Sequence, residues 1–306
     1  MTLIALLIGL IIERLATQVF HWRRMRWLDR IIDNGFSLSA KFATWPALIP
    51  VILLAIVLVL PVAAVTIALK DTLFGFPHLV LAVVVLFFSL GPNDIGEDVN
   101  EYCSALQDND EERIDQTARA LVEDTLPADP LERIRCVEEA VCIQANNRLF
   151  AVIFWFVLLG PLGPLGAWAY RVTDLVRRRA VFQAGREAGD SSAIVPLRDA
   201  AVTLHGWLAW IPARLTALGY AVAGHFDAAL AAWRSSDATP AGSTSEHSER
   251  LLARVGVAAL ALQPGEDEDL TARGVRGATA AKQLVFRLLL IWAVIISAMT
   301  LYGWTV

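Results

Sequence analysis

The sequence predicts an all-α polytopic integral membrane protein with about four membrane segments, one of them read as re-entrant, joined to cytoplasmic helical segments. Three observations carry this prediction. Hydrophobic residues make up 56% of the 306, far more apolar surface than a soluble domain of that length needs for its core. Four stretches, 46–69, 72–92, 149–170 and 288–306, hold no Asp, Glu, Lys or Arg, and each approaches or exceeds the roughly 20 residues that cross a hydrocarbon core as helix. Trp45, Trp155, Trp168, Tyr170, Tyr302 and Trp304 stand near the ends of these runs or within them, and amphipathic rings favour the headgroup level.

Taken in order, residues 1–30 read as a helix that is half membrane and half interface, with Leu3, Leu6, Leu7, Leu10 and Ile11 on its apolar side. No positive region precedes this run and no small-residue cleavage site follows it, so it is expected to stay in the mature protein. Residues 46–92 read as an antiparallel pair of spanning helices about a tight turn at Lys70 and Asp71. Pro46, Pro50 and Pro61 permit kinks, because proline removes a backbone donor.

Residues 93–148 form a charged segment of two or more helices. One starts at Pro130, with Asp129 as its cap, Glu132 completing a capping box, and Leu131, Ile134, Val137 and Val141 on one face. That face is expected to pack on an upstream helix carrying Ala118, Leu121 and Val122. Residues 149–170 hold Gly160-Pro161-Leu162-Gly163-Pro164-Leu165-Gly166 at their centre, where a straight span would want unbroken helix.

Charge sharpens that break into a topology. Arg23, Arg24, Arg26, Arg30 and Lys41 precede the first span, while Arg171, Arg177, Arg178, Arg179 and Arg186 follow the third stretch. A simple crossing by that stretch would put the two basic clusters on opposite sides, against the positive-inside tendency. A hairpin that re-enters at the Gly/Pro run keeps them together.

Residues 171–283 read as helices and loops. The Ala/Leu/Trp-rich stretch 200–233 is expected to lie against the membrane or on the other helices, and 234–249 and 263–269 read as flexible loops. Residues 284–306 form the last membrane helix. The whole chain, 1–306, is expected to be one structural unit.

Composition excludes several classes. A net charge of −5 provides no basic footprint for nucleic acid. Cys103, Cys136 and Cys142 lack CxxC or paired Cys/His spacing, so neither a zinc site nor a disulfide framework is indicated. No metal or cofactor is assigned. Hydrolase and protease motifs are absent from the sequence, and the GPLGPLG run lacks the GK[ST] of a phosphate loop.

Ten residues stand out as ligand-binding candidates, and none is assigned to catalysis. Glu13 and Arg14 interrupt an apolar helix, where ionisable groups call for a partner or a polar cavity. His21 is a candidate for proton transfer, since imidazole as a group titrates near neutrality, but it sits beside Trp22 and Arg23 as an interfacial anchor would. Asp124 and Glu139 are acids on neighbouring helices. Asn146, Arg148, Arg171 and Asp174 flank the broken stretch, where a polar group could recognise an anionic headgroup, a phosphate or a muropeptide fragment. Arg214, in Trp210-Ile-Pro-Ala-Arg-Leu, either reaches that cluster or decorates an amphipathic face.

Glu13-Arg14-Leu15 with His21-Trp22, the Gly/Pro-broken stretch ending in an aromatic-basic pair, and Trp210-Ile-Pro-Ala-Arg-Leu followed by Gly224-His225 resemble the AmpE family in order and spacing. The resemblance implies an inner-membrane protein that modulates β-lactamase induction and senses cell-wall recycling without catalysis. Its implied partners are membrane lipid, a cell-wall-derived small molecule and other membrane proteins. A weaker similarity reaches the membrane synthases of cobalamin assembly, through Arg119-Ala-Leu-Val, Asp124-Thr125, Glu138-Glu139 and Ile153-Phe154-Trp155. Those synthases typically carry Val-Ala-Glu-Asn-Thr-Ser-Asp-Gly where this chain has Val141 to Arg148. Ile143 and Asn147 thus stand in place of carboxylates that a magnesium-dependent ligase would use. A membrane scaffold and a degenerate ATP-dependent amide ligase are the alternatives.

Overall fold

The computed structural model describes residues 26–39, 45–69, 76–90, 94–123, 126–186, 194–237, 242–262 and 269–302, all helices and their connections, with no strand among them. Helix α1 (Arg26–Ser39) precedes α2 (Leu48–Leu69) and α3 (Phe76–Ser89). In α2 the run of Leu, Ile and Val is apolar on every side, as a helix in lipid must be. The helix takes Pro50 in its first turn and continues through Pro61. Ile49, Leu53, Ile56, Val57, Leu60 and Ile67 remain exposed on its outer face. The turn expected at Lys70 and Asp71 lies outside the described residues.

The charged segment folds as three helices, each begun by an aspartate. Asp94 caps α4 (Ile95–Asp108), Asp110 caps α5 (Glu111–Leu121) and Asp129 caps α6 (Pro130–Ala145). In each case a carboxylate accepts a backbone N–H of the first turn that has no partner inside the helix. Ile134, Val137 and Val141 are buried as the spacing predicts, and Ala118 and Leu121 of α5 share one core with Val137 and Val141. Leu131 departs from its expected face and is exposed.

The broken stretch is two helices rather than one. Helix α6 runs through a π-helical turn, Asn146–Phe150, into α7 (Ala151–Leu158), a 3₁₀ turn follows at Gly160–Leu162, and α8 (Gly163–Arg186) returns antiparallel. Gly160 supplies the left-handed corner with φ +54°. At Gly166 the backbones come so close that a β-carbon would stand 2.6 Å from the Trp155 carbonyl oxygen, and one at Gly163 would strike that of Phe156. The tip reaches the start of α3, where His78 Nε2 donates to the Pro161 carbonyl at 3.0 Å.

Helix α9 (Ile194–Ala223) packs across α8 and against α11 (Thr244–Leu260), with α10 (Phe226–Asp237) between the last two. Trp207, Trp210, Ile211, Leu215, Leu218 and Val222 form an exposed apolar face on α9, the stretch expected to lie against the membrane. The Ser/Thr-rich region expected as a loop is helical at both ends, since Ser243 caps α11 and α10 extends to Asp237. Helix α12 (Leu270–Leu301) starts well before the expected membrane segment. At about 1.5 Å per residue its 32 residues exceed a bilayer's thickness, and its first half packs on α4 and α6.

Among the described residues three helical runs are long and apolar enough to cross a membrane: Leu48–Leu69, Pro130–Leu158 and Leu270–Leu301. Only 22% of the most apolar part is buried in the first and last, against 72% in the middle one, so protein rather than lipid wraps the middle run. The chain is thus an all-α membrane protein, with a helical layer formed by α4, α5, α6, α11 and the first half of α12 built on its membrane helices.

Candidate polar site at the base of the helical hairpin

Where α8 leaves the apolar hairpin, its sequence places Arg171, Asp174, Arg177 and Arg178 three and four residues apart, on one helix face. Asp174 is fully buried. Its carboxylate accepts from Arg171 Nη1 at 2.9 Å, Arg177 Nη2 at 3.0 Å and Arg178 Nε at 2.9 Å. Burial works against the ionised carboxylate, but Arg178, Arg177 and Arg171 together outweigh it and hold the Asp174 pKa well below the carboxylate range.

A second carboxylate closes over the same arginines. Glu123, on the linker after α5, accepts from Arg177 Nη1 at 2.9 Å and from Gln144 Nε2 at 2.9 Å, and Arg178 Nη2 lies 3.0 Å from it. Burial raises its pKa, yet Arg178 and Arg177 bring it down to about 2. Gln144 also takes hydrogen bonds from Arg148 Nε and Arg178 Nη2 at 3.0 and 2.9 Å. Arg148 then reaches Asp98 on α4 at 2.8 Å and the Ala120 carbonyl on α5 at 3.1 Å. Glu249 of α11 approaches Arg177 at 4.0 Å. Four arginines therefore face four carboxylates contributed by α4, the α5–α6 linker, α8 and α11.

The π turn brings the neighbouring amides into this layer. A π turn carries one residue more than an α turn, so polar side chains that an α-helix would spread around its surface can share one side. Asn146, Asn147 and Arg148 are all buried. Thr216 donates to Asn146, Asn146 to Asn147, and the Tyr170 hydroxyl to Asn147 at 3.4 Å. His205 of α9 lies within 3.8 Å of Asp174 and against the Tyr170 ring. Burial first, then Arg177, lowers its pKa to about 3 and keeps the imidazole neutral. Both His205 ring nitrogens, and the Nε atoms of Arg171 and Arg177, are buried without a hydrogen-bond partner.

The structure thus brings together four of the ten sequence candidates, Asn146, Arg148, Arg171 and Asp174. Glu13, Arg14, His21 and Asp124 lie outside the described residues. Glu139 is apart from the cluster, 3.5 Å from Arg135 on its own helix. Arg214 does not reach it either: its guanidinium stacks on the Trp210 ring at 3.9 Å and donates to the Trp210 carbonyl, on the exposed face of α9. Sequence reasoning passed over Glu123, Gln144, Arg177, Arg178, His205 and Glu249. The spacing of Arg171, Asp174, Arg177 and Arg178 held a readable signal, whereas nothing local marked Glu249. Among the described residues no group of three His, Cys, Asp or Glu side chains is arranged to hold a metal ion.

Comparison with known proteins gives this architecture its relatives. The family model described as regulatory signalling modulator protein AmpE matches residues 1–306. Protein AmpE of Shigella flexneri is 26% identical, with 99% of each chain covered. Cobalamin biosynthesis protein CobD of Stutzerimonas stutzeri is 26% identical over 50% of this chain and 48% of its own. CobD of Chromobacterium violaceum is 25% identical over 52% and 48%. No solved structure matches the chain. The match along the full length of both the family model and the Shigella protein places the chain in the AmpE family of regulatory signalling modulators.

Proposed function

We propose that this protein is a multi-pass regulator of the bacterial inner membrane that modulates β-lactamase induction in response to cell-wall recycling, and that it does so without catalysis. One observation carries the reading beyond family membership. Asp98, Glu123 and Asp174 are each committed to arginine, in a network that ties the membrane hairpin to the helical layer above it. Buried ion pairs are weak sources of net stability but strong specifiers of one arrangement. A network of this kind suits a two-state coupling element better than an acid–base centre, which needs a carboxylate at liberty to exchange a proton. An anionic cell-wall-derived small molecule, membrane lipid and other membrane proteins are the partners this reading assigns.

The test is β-lactamase induction by a sub-inhibitory β-lactam in the source bacterium with the gene deleted. Wild-type protein should restore the normal response and Asp174→Asn should not, at equal membrane abundance. Induction indifferent to the deletion would overturn the reading. The similarity to CobD over half the chain favours a second one, a ligase. Magnesium-dependent ATP binding that disappears in Asp124→Ala would select it.

A further inference from the structure

Among the carboxylates of the buried network Glu123 is set apart by its attachment. Asp98, Asp174 and Glu249 stand on helices, while Glu123 stands two residues past the end of α5. Its side chain is 36% exposed and that of Glu249 35%, against 4% for Asp98 and none for Asp174. It therefore has an exit to solvent.

What Glu123 occupies is a seat of donors. Arg177 Nη1 and Nη2 lie 2.9 and 3.3 Å from its carboxylate, Gln144 Nε2 lies at 2.9 Å and Arg178 Nη2 at 3.0 Å. Underneath, Asp174 grips both guanidinium groups and fixes their direction. Planar guanidinium forks arranged in this way match the oxygens of phosphate as well as those of a carboxylate. With Glu123 in place the buried layer still holds unsatisfied polar atoms, Arg177 Nε and both ring nitrogens of His205. The departure of Glu123 would leave four arginines facing three carboxylates, a deficit that an anion with more oxygens could fill.

We propose that Glu123 is an internal stand-in for a phosphate-bearing ligand: when its side chain turns out to solvent, Arg177, Arg178 and Gln144 receive a phosphate or diphosphate group, and the release of Glu123 is the signal. The inference rests on the regulatory reading of this cluster, although the binding it describes does not depend on which response the protein controls. A headgroup in the bilayer and a soluble phosphate ester share the required chemistry.

The test is thermal unfolding of the full chain in neutral phosphatidylcholine nanodiscs, titrated with inorganic pyrophosphate at constant ionic strength, and again in nanodiscs containing phosphatidic acid. Glu123→Gln removes the competing charge while keeping the side chain's shape. It should be stabilised at pyrophosphate or phosphatidic acid levels about tenfold below those wild type needs, since apparent affinity rises with the fraction of open seat. Adding Arg178→Gln should abolish the response. Stabilisation by pyrophosphate assigns a soluble ligand, and stabilisation by phosphatidic acid alone assigns a lipid one. Equal responses in wild type and Glu123→Gln, no response in either, or a response that survives Arg178→Gln would overturn the proposal. If Glu123→Gln does not purify as a folded species, Glu123→Asp, which draws the carboxylate back, takes its place with the same criteria. Because the induction measurement and this one can each fail alone, failure of the latch is distinguishable from failure of the regulatory reading.

Discussion

Arg179, near the end of the returning helix α8, clasps Asp33 of α1 through two parallel hydrogen bonds, Nε to Oδ1 at 2.6 Å and Nη2 to Oδ2 at 2.5 Å. The hydrogen bond from Arg179 is the main reason the Asp33 pKa lies below its usual value. Residues that precede the first long membrane helix are thereby joined to residues that follow the broken stretch, on one side of the molecule. Both Asp33→Ala and Arg179→Ala should destabilise the protein, and the double variant should lose less than their sum. The pair is partly exposed, so a double-mutant cycle by chemical unfolding in detergent should give a coupling of about 0.5–1 kcal/mol.

Gly166→Ala should cost about 1–3 kcal/mol, because the new methyl group would meet the Trp155 carbonyl and force the two hairpin helices apart. Gly185→Ala, in the same helix α8 with open space around it, should be neutral or slightly stabilising. Thermal melts of the two variants beside wild type check the contrast. Equal effects would mean that the close approach of the hairpin helices carries no energetic weight.

Asp174→Ala should be far more damaging than Arg214→Ala. Removing a fully buried carboxylate strands Arg171, Arg177 and Arg178, a loss of about 3–5 kcal/mol for breaking a buried pair. Arg214 stacks on Trp210 at an exposed face, where removing a cation–π contact costs about 0.5–1 kcal/mol. Unfolding midpoints of both variants in the same detergent decide the matter.

Stability should fall as pH drops below about 6.5, the ordinary value for histidine. Burial first, then Arg177, lowers the folded pKa of His205 to about 3, in a setting of Tyr170, Asp174, Arg177 and Arg178 of α8 and Glu123 of the linker. The unfolded chain therefore takes up a proton that the native state refuses, and the loss grows until pH reaches the folded value. Glu123, lowered from 4.5 to about 2, adds a loss of the same sign below pH 4.5. Burial raises the pKa of Glu249, which acts in the opposite sense. His205→Gln should flatten the melting-temperature profile between pH 6.5 and 4.5 and leave the steeper fall below it.

Local chemistry made much of the fold legible. Asp129-Pro130 announced the start of α6, the uncharged runs announced α2 and α12, and Gly160-Pro161 announced the hairpin's corner. Arg179, one of the basic residues that follow the broken stretch, pairs with Asp33, which precedes the first span. The site was legible only where one element supplied it. Arg171 and Asp174 are three residues apart on α8, but Glu249 and His205 come from helices that periodicity alone cannot bring to that place. The π turn at Asn146 has no sequence marker, since it follows from buried polar partners on α8 and α9 rather than from propensity. The extent of α12 was missed because its first half is held by Glu138, which pairs with Arg273, and by Asn100, which accepts from Lys282, and not by hydrophobicity.

The hairpin's corner divides an apolar stretch of about one membrane crossing's length between α7 and the start of α8. The returning helix is held from beyond that stretch, where Arg179 pairs with Asp33 and Arg177 with Glu123. Ion pairs past the apolar run, rather than the run itself, thus fix where the hairpin's second arm lies.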